Sequence, residues 1–213
     1  MIIQNYLELF LQQTITFFAI LDPIGVSAVM LSILHINVTK KEIEKVAYKS
    51  TLTIVIAFFI VFFAGNILLS IFGVNINAIK VIGGIILLLM SIKMIQDSII
   101  MKENNKNKSK NIENDLSIVP IAIPILFGPG IFSTIIIMRE NTQVFSDIII
   151  TILAFLLNSF FVYIIFKNSI YIKKILNVTG QNIITKLMGL IVGAISVQFI
   201  ISGIIELSKI YLQ

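Results

Sequence analysis

Asp22 is a carboxylate set deep inside an apolar run, and Pro23 and Gly25 follow it almost at once. Ionisable groups at membrane depth are costly and usually face an interior cavity, often as proton or ion sites. The bland reading is a cap on the half-helix that starts after the break, and the two roles are compatible. A second interruption, Gly128-Pro129-Gly130, has Pro120 and Pro124 upstream of it. Proline at 23 has no N–H for the carbonyl of Ala19, and proline at 129 has none for that of Ile125, so each break frees a backbone acceptor. Such groups are tolerated at membrane depth only where protein covers them or they line a watery cavity. The half-helix after each break would point amide donors and a positive dipole end at an anionic group, while freed carbonyls could accept from an ammonium. The rival is a packing kink, since Pro and Gly are common in membrane helices. Ser27, Ser133, Thr134, Asn66, Asn158 and Gln198 could line the same cavity or serve only as hydrogen-bonding glue between helices.

Other chemistries are poorly supplied. Zero Cys excludes disulfides and thiolate sites, the single histidine, His35, excludes an imidazole cluster, and Arg139 is the one arginine, so no metal or other cofactor and no enzymatic activity is expected. A membrane-embedded hydrolase of lipid phosphates would need just such a cluster. His35 reads as a solvated residue at the mouth of the bundle. The net charge of +5 does not make a nucleic-acid binder, because the basic residues fall in short loops between apolar runs and not on one face.

The elements that must position these residues lie in a bilayer. Of 213 residues 57% are hydrophobic and 13% charged, against about 25% charged in ordinary soluble domains, and the mean hydropathy is +1.01. Six runs are long enough to cross a hydrocarbon core of about 30 Å: 7–34, 50–72, 79–97, 118–138, 145–166 and 186–207. The N-terminus lacks a positive n-region and cleavage site, so the first run is read as a span. Lys40, Lys41, Lys45, Lys49, Lys102, Lys106, Lys108, Lys110, Lys167, Lys173 and Lys174 fall on one side, with Lys80, Arg139 and Lys209 on the other. The first side is expected to be cytoplasmic, with both termini outside. The polar stretch at 98–117 reads as a cytoplasmic linker between two three-span repeats, 1–97 and 118–213.

The halves share a register. Pro23 and Pro129, Ser27 and Ser133, Lys80 and Lys186, and Gly83 and Gly189 are each separated by 106 positions (129 − 23 for the first pair). With three spans per half the second copy sits upside down, the inverted-repeat plan of many secondary transporters, in which broken helices one and four meet around a substrate. Gly83, Gly84, Gly189 and Gly193 read mainly as surfaces for close helix packing.

The chain resembles the MarC family of bacterial inner-membrane proteins, also called UPF0056, which lies near the LysE-type exporters. Asp22-Pro23-Ile24-Gly25 is similar to its D/N-P-x-G element, and Val119-Pro120-Ile121-Ala122-Ile123-Pro124 with Gly128-Pro129-Gly130 to its V-P-L-A-x-P…A-G-P-G element. Lys186-Leu187-Met188-Gly189-Leu190 and Val197-Gln198-Phe199-Ile200 are similar to its R-x-M-G-L and Q/E-F-I elements. Lys186 stands for the usual arginine, and Phe127 for a common alanine, which makes a bulkier pocket wall. The resemblance implies an all-α protein of six spans with external termini in the bacterial inner membrane, and it raises Gln198 above the other polar candidates. Some relatives are regarded as transporters of small neutral amino acids, which implies that substrate class here. The expected function is thus secondary transport of a small solute, a neutral amino acid with proton coupling through Asp22, at a site formed by Asp22, Pro23, Gly25, Ser27, Gly128, Pro129, Gly130, Ser133 and Gln198. The partners are that solute and the lipid bilayer, and a homo-oligomer stays open. The alternatives are a non-transporting scaffold or assembly protein and a lipid-headgroup flippase.

Overall fold

The computed structural model describes residues 2–34, 38–96, 126–142 and 144–212. His35, the linker at 98–117 and the residues 118–125, with Pro120 and Pro124, lie outside that set. The elements are α1 (Ile2–Leu21), α2 (Pro23–Ile33), α3 (Lys40–Ile71), α4 (Ile76–Gln96), α5 (Pro129–Asn141), α6 (Phe145–Lys167) and α7 (Ser169–Tyr211), with no strand among the described residues. Five stretches are long and apolar enough to cross a membrane: Asn5–Ile33, Lys40–Ile71, Ile76–Gln96, Phe145–Lys167 and Ser169–Ile210. The expected run at 118–138 is described only from Leu126 onward, where it supplies most of α5.

Each long helix turns one apolar face inward and another outward. On α3, Ile54, Phe58 and Phe62 are buried while Leu52, Ile56, Ile60, Phe63 and Ile67 form an exposed stripe at helical spacing. On α6, Ala154, Phe155 and Val162 are buried while Ile149, Leu153, Leu156 and Phe160 face out. An apolar outer surface on top of an apolar core is what hydrocarbon solvent requires and water forbids. Two elements differ. Of the most apolar stretch of Asn5–Ile33, 67% is buried, against 22–33% in the other four crossings, and α5 is buried at Gly130, Ile131 and every position from Ser133 to Ile137. The helices that carry the two interruptions are therefore central, and the others surround them.

The core is aromatic where α1, α3 and α6 meet. Phe58 and Phe155 stack with ring centroids 4.0 Å apart, and Phe17 meets them edge-on at 6.3 and 5.1 Å. Across the bundle α4 and α7 run antiparallel with their backbones nearly touching. A Cβ on Gly84 would lie 2.8 Å from the Ser196 carbonyl oxygen, and one on Gly203 would lie 2.8 Å from that of Asn77. Glycine is needed along this seam because the obstructing atoms are backbone, which cannot swing aside.

Polar contacts mark the two ends. At one end the Lys167 ammonium pairs with Glu44 at 2.6 Å and that of Lys40 reaches the Tyr171 hydroxyl at 3.1 Å. At the other end Asn66 donates to Glu140 at 2.9 Å and Ser146 to the Tyr6 hydroxyl at 3.1 Å. The start of α3 and the α6–α7 junction thus share one end, and the start of α1, the finish of α5 and the start of α6 share the other.

One expectation is corrected. Lys40, Lys41, Lys45, Lys49, Lys173 and Lys174 lie on helices and not in loops. Thr39 and Glu42 form a capping box, which starts α3 some ten residues ahead of its apolar run. α7 likewise begins at Ser169 and carries its break at Asn177, whose φ of 52° lies in the left-handed region that asparagine tolerates better than most residues.

Candidate functional site

The first interruption is one residue long. The Asp22 amide still donates to the Phe18 carbonyl at 3.0 Å and the Asp22 carbonyl accepts from the Val26 amide at 2.9 Å, so both half-helices are closed against it. Asp22 itself is left-handed, at φ 39° and ψ 60°, and Pro23 opens α2 at a position whose missing N–H leaves no helix bond unmade. The Asp22 carboxylate accepts from the Gly25 amide at 3.2 Å and from the Thr185 hydroxyl of α7 at 3.3 Å. Asp22 is 6% exposed. The geometry thus makes it a helix cap tied to a neighbouring helix, facing the protein interior and not lipid. Gly25 is what lets the carboxylate sit there: a Cβ would collide with the carboxylate and stand 2.6 Å from the Thr185 hydroxyl.

At the second interruption Gly128 is extended, and its carbonyl accepts from the Phe132 amide at 3.1 Å. No side chain caps α5, since glycine has none to offer. Gly130 lies against Leu87 of α4, which a Cβ would approach to 2.9 Å. The hydroxyls beside both breaks are turned back on their own helices. Ser27 donates to the Ile24 carbonyl at 2.7 Å, Ser133 to those of Pro129 and Gly130 at 3.0 Å, and Thr134 to that of Gly130 at 2.8 Å. Ser133 also presses on α4 where Gly83 leaves room for it. Asn158 and Asn66 bridge helices, the first through Thr14 of α1 and the second through Glu140 of α5.

The sequence candidates do not converge on one space: Asp22 and Gly25 meet Thr185 of α7, Ser133 meets Gly83 of α4, and others line two separate cavities. Gly128, Pro129 and Gly130 line a cavity of about 510 Å³ with Ile20, Met90 and Lys93, so the end of α1 and the second break do share one space. Asp22, two residues beyond Ile20, is not in its lining. Gln198 lies instead in a second cavity of about 260 Å³, with Gln12, Gln13, Thr16, Asn141 and Asp147. On α5 the larger cavity reaches Ile131 and the smaller begins at Ile137, six residues or roughly 9 Å along the axis. The layer between them includes Thr134 and Ile135, both fully buried.

Three residues of consequence were not singled out on the sequence. Thr185 is bonded to Asp22 across 163 positions. Gln181, one turn before it on the same helix, is fully buried, and neither of its amide atoms has a hydrogen-bond partner among the described residues. Gln13 lines the smaller cavity, is 6% exposed, and its Oε1 is unpartnered among the described residues. The available signal was helical spacing: Gln13 and Thr16 share a face of α1 with Ile20, and Gln181 one of α7 with Thr185.

The family model described as MarC family integral membrane protein matches residues 7–208. A UPF0056 membrane protein of Aquifex aeolicus is 31% identical over 94% of this chain and 94% of its own length. One from Methanocaldococcus jannaschii is 32% identical over 93% of this chain and 97% of its own. The UPF0056 membrane protein YhcE of Escherichia coli is 28% identical over 88% and 87%. No solved structure matches.

Proposed function

The chain belongs to the MarC family of integral membrane proteins, and from that premise we propose that it is a secondary transporter of a small solute working by alternating access. The observation that carries the reading is the pair of cavities on either side of a packed layer at the level of the interrupted helices. Opening that layer on one side while closing it on the other is the elementary step of such a cycle. The inverted-repeat plan is supported by the pairings: α2 packs on α7 as α5 packs on α4, and α4 runs antiparallel to its proposed counterpart α7. In this plan α3 pairs with α6, and the Glu44–Lys167 contact joins the start of the one to the end of the other.

The proposed cargo is a neutral amino acid, taken at the larger cavity beside Gly128, Pro129 and Gly130, with Asp22 coupling its movement to protons. Asp22 would act through α2. Protonation removes the charge that the Gly25 amide and Thr185 hydroxyl stabilise, and so loosens the joint between α2 and α7. The protein is placed in the inner membrane with the lysine-rich end cytoplasmic.

The test is uptake of radiolabelled alanine by proteoliposomes under an imposed proton gradient. Saturable, gradient-dependent uptake is expected, and Asp22→Asn is expected to abolish the dependence on the gradient while the protein still folds. Unchanged pH-dependent uptake in that variant removes the coupling role. No saturable uptake across the neutral amino acids removes the cargo assignment, and a lipid that co-purifies in place of a water-soluble solute favours a headgroup flippase.

A further inference from the structure

The outer face of α3 changes character along its length. Lys41, Lys45, Tyr48, Leu52 and Ile56 follow one another at steps of three and four, within a face about 80° wide. All of them are exposed, so the helix presents two ammonium groups, then a phenol, then the apolar stripe that continues to Phe63 and Ile67. Basic, aromatic and aliphatic side chains in that order match the headgroup, interface and hydrocarbon layers of one leaflet.

Two marks set the depth of Lys45. The apolar run of α3 begins at 50, five residues or about 7.5 Å below it. That of α6 ends at 166, beside the Lys167 whose ammonium holds Glu44 at 2.6 Å, and Glu44 adjoins Lys45 in sequence. By the first mark Lys45 stands at the outer limit of a headgroup layer about 5–7.5 Å thick, and by the second at its inner limit. From either level the long lysine stem lets the ammonium reach phosphates.

The protein does not balance the charge on this face. Of the carboxylates on the same turns, Glu42 closes the cap at Thr39 and Glu44 is taken by Lys167. Among the described residues no carboxylate pairs with Lys41 or Lys45. Lys40, about 100° round the helix from Lys41, is turned to Tyr171 of α7. Like charges four positions apart on a helix repel, and an anion held between them removes the repulsion.

We propose that this face of α3 is a binding site for one anionic phospholipid, its phosphate held between Lys41 and Lys45, its glycerol backbone against Tyr48 and its acyl chains along Leu52 and Ile56. A zwitterionic lipid brings its own cation to the same place and gains less from the two lysines. The site does not depend on the transport reading, since a scaffold and a carrier would hold it alike.

The chain has no tryptophan, so Leu52→Trp places a single reporter on the face, one turn below Tyr48. The full-length variant is reconstituted in vesicles of phosphatidylcholine with a minor share of phosphatidylglycerol. Either the phosphatidylglycerol or an equal amount of the phosphatidylcholine carries bromine, a fluorescence quencher, on its acyl chains. Quenching by brominated phosphatidylglycerol is expected to exceed that by brominated phosphatidylcholine by about twofold. Adding Lys41→Gln with Lys45→Gln should bring the two to equality, whereas Lys41→Arg with Lys45→Arg keeps the charges and should keep the preference. Lys40→Gln with Lys174→Gln removes as many charges from the same end of the molecule, on the side toward α7, and should leave the preference intact. Equal quenching by both lipids in the starting variant, or a preference that survives the loss of Lys41 and Lys45, overturns the site. So does an equal fall in Lys40→Gln with Lys174→Gln, which would mark diffuse attraction to the charged end in place of a site on α3. Quenching by neither lipid overturns it too, because protein and not lipid would then cover the face.

Discussion

At Asp22 a charged group, a proline and a glycine solve one local problem between them. A left-handed residue ends α1, proline starts α2 without wasting a donor, and the carboxylate caps the Gly25 amide while holding Thr185 of a helix remote in sequence. Gly25→Ala is therefore expected to destabilise the protein by about 2–5 kcal/mol, the range for losing a cap together with a hydrogen bond to a charged group. Its new methyl group would occupy the place of the carboxylate and force it away from both partners. Thermal unfolding in detergent measures this, and a melting temperature equal to that of the wild type would mean that the carboxylate has another place to go at no cost. The Asp-Pro pair made the break legible in the sequence, because the types themselves disrupt a helix. Thr185 was not legible, since a threonine on an apolar helix carries no mark of the residue 163 positions away that it meets. Gln13 was hidden for a related reason: two adjacent glutamines in the middle of α1 carry no mark of which one faces inward, and the packing of the neighbouring helices buries one of the two.

Among the elements, the α4–α7 seam is where the two halves of the chain come closest. Its glycines were readable as small surfaces, and Gly84, Gly189 and Gly193 do lie in the seam, while Gly83 faces Ser133 of α5 instead. One helical position separates Gly83 from Gly84, about 100° around the axis, so a glycine pair can serve two neighbours at once. Gly84→Ala is expected to cost about 1–3 kcal/mol, because the methyl group meets the Ser196 carbonyl and the Ile200 amide and the helices must move apart. A thermal melt of this variant unchanged from wild type would show that the seam already slides, as a shear motion between repeats would require. Helix lengths were less legible than helix identities. Hydrophobic runs report where lipid begins, whereas α3 starts at its capping box and α7 continues back through Lys173 and Lys174 to Ser169, both in stretches too polar to register as spans.

For the molecule as a whole, the distribution of charge over the two ends is expected to select one orientation in the membrane. Lys40, Lys41, Lys45, Lys49, Lys167, Lys173 and Lys174 belong to the end where α3 starts and α6 gives way to α7, and Lys80, Arg139 and Lys209 to the opposite end. At about 1 kcal/mol per basic residue near an anionic leaflet, an excess of four on the first end amounts to roughly 4 kcal/mol, far above thermal energy, so a single orientation is expected in place of a mixture. The absence of cysteine from the chain makes this directly measurable, because a cysteine introduced at one position is the sole thiol present. Val144→Cys and Lys41→Cys place that thiol on exposed residues at the two ends, neither in a cavity lining. In intact spheroplasts a membrane-impermeant maleimide should label Val144→Cys and leave Lys41→Cys untouched until the membrane is permeabilised. The opposite pattern would invert the protein and turn the smaller cavity toward the cytoplasm. Labelling of both variants in intact spheroplasts would show two orientations coexisting, and the excess of basic residues would then not be what sets the topology.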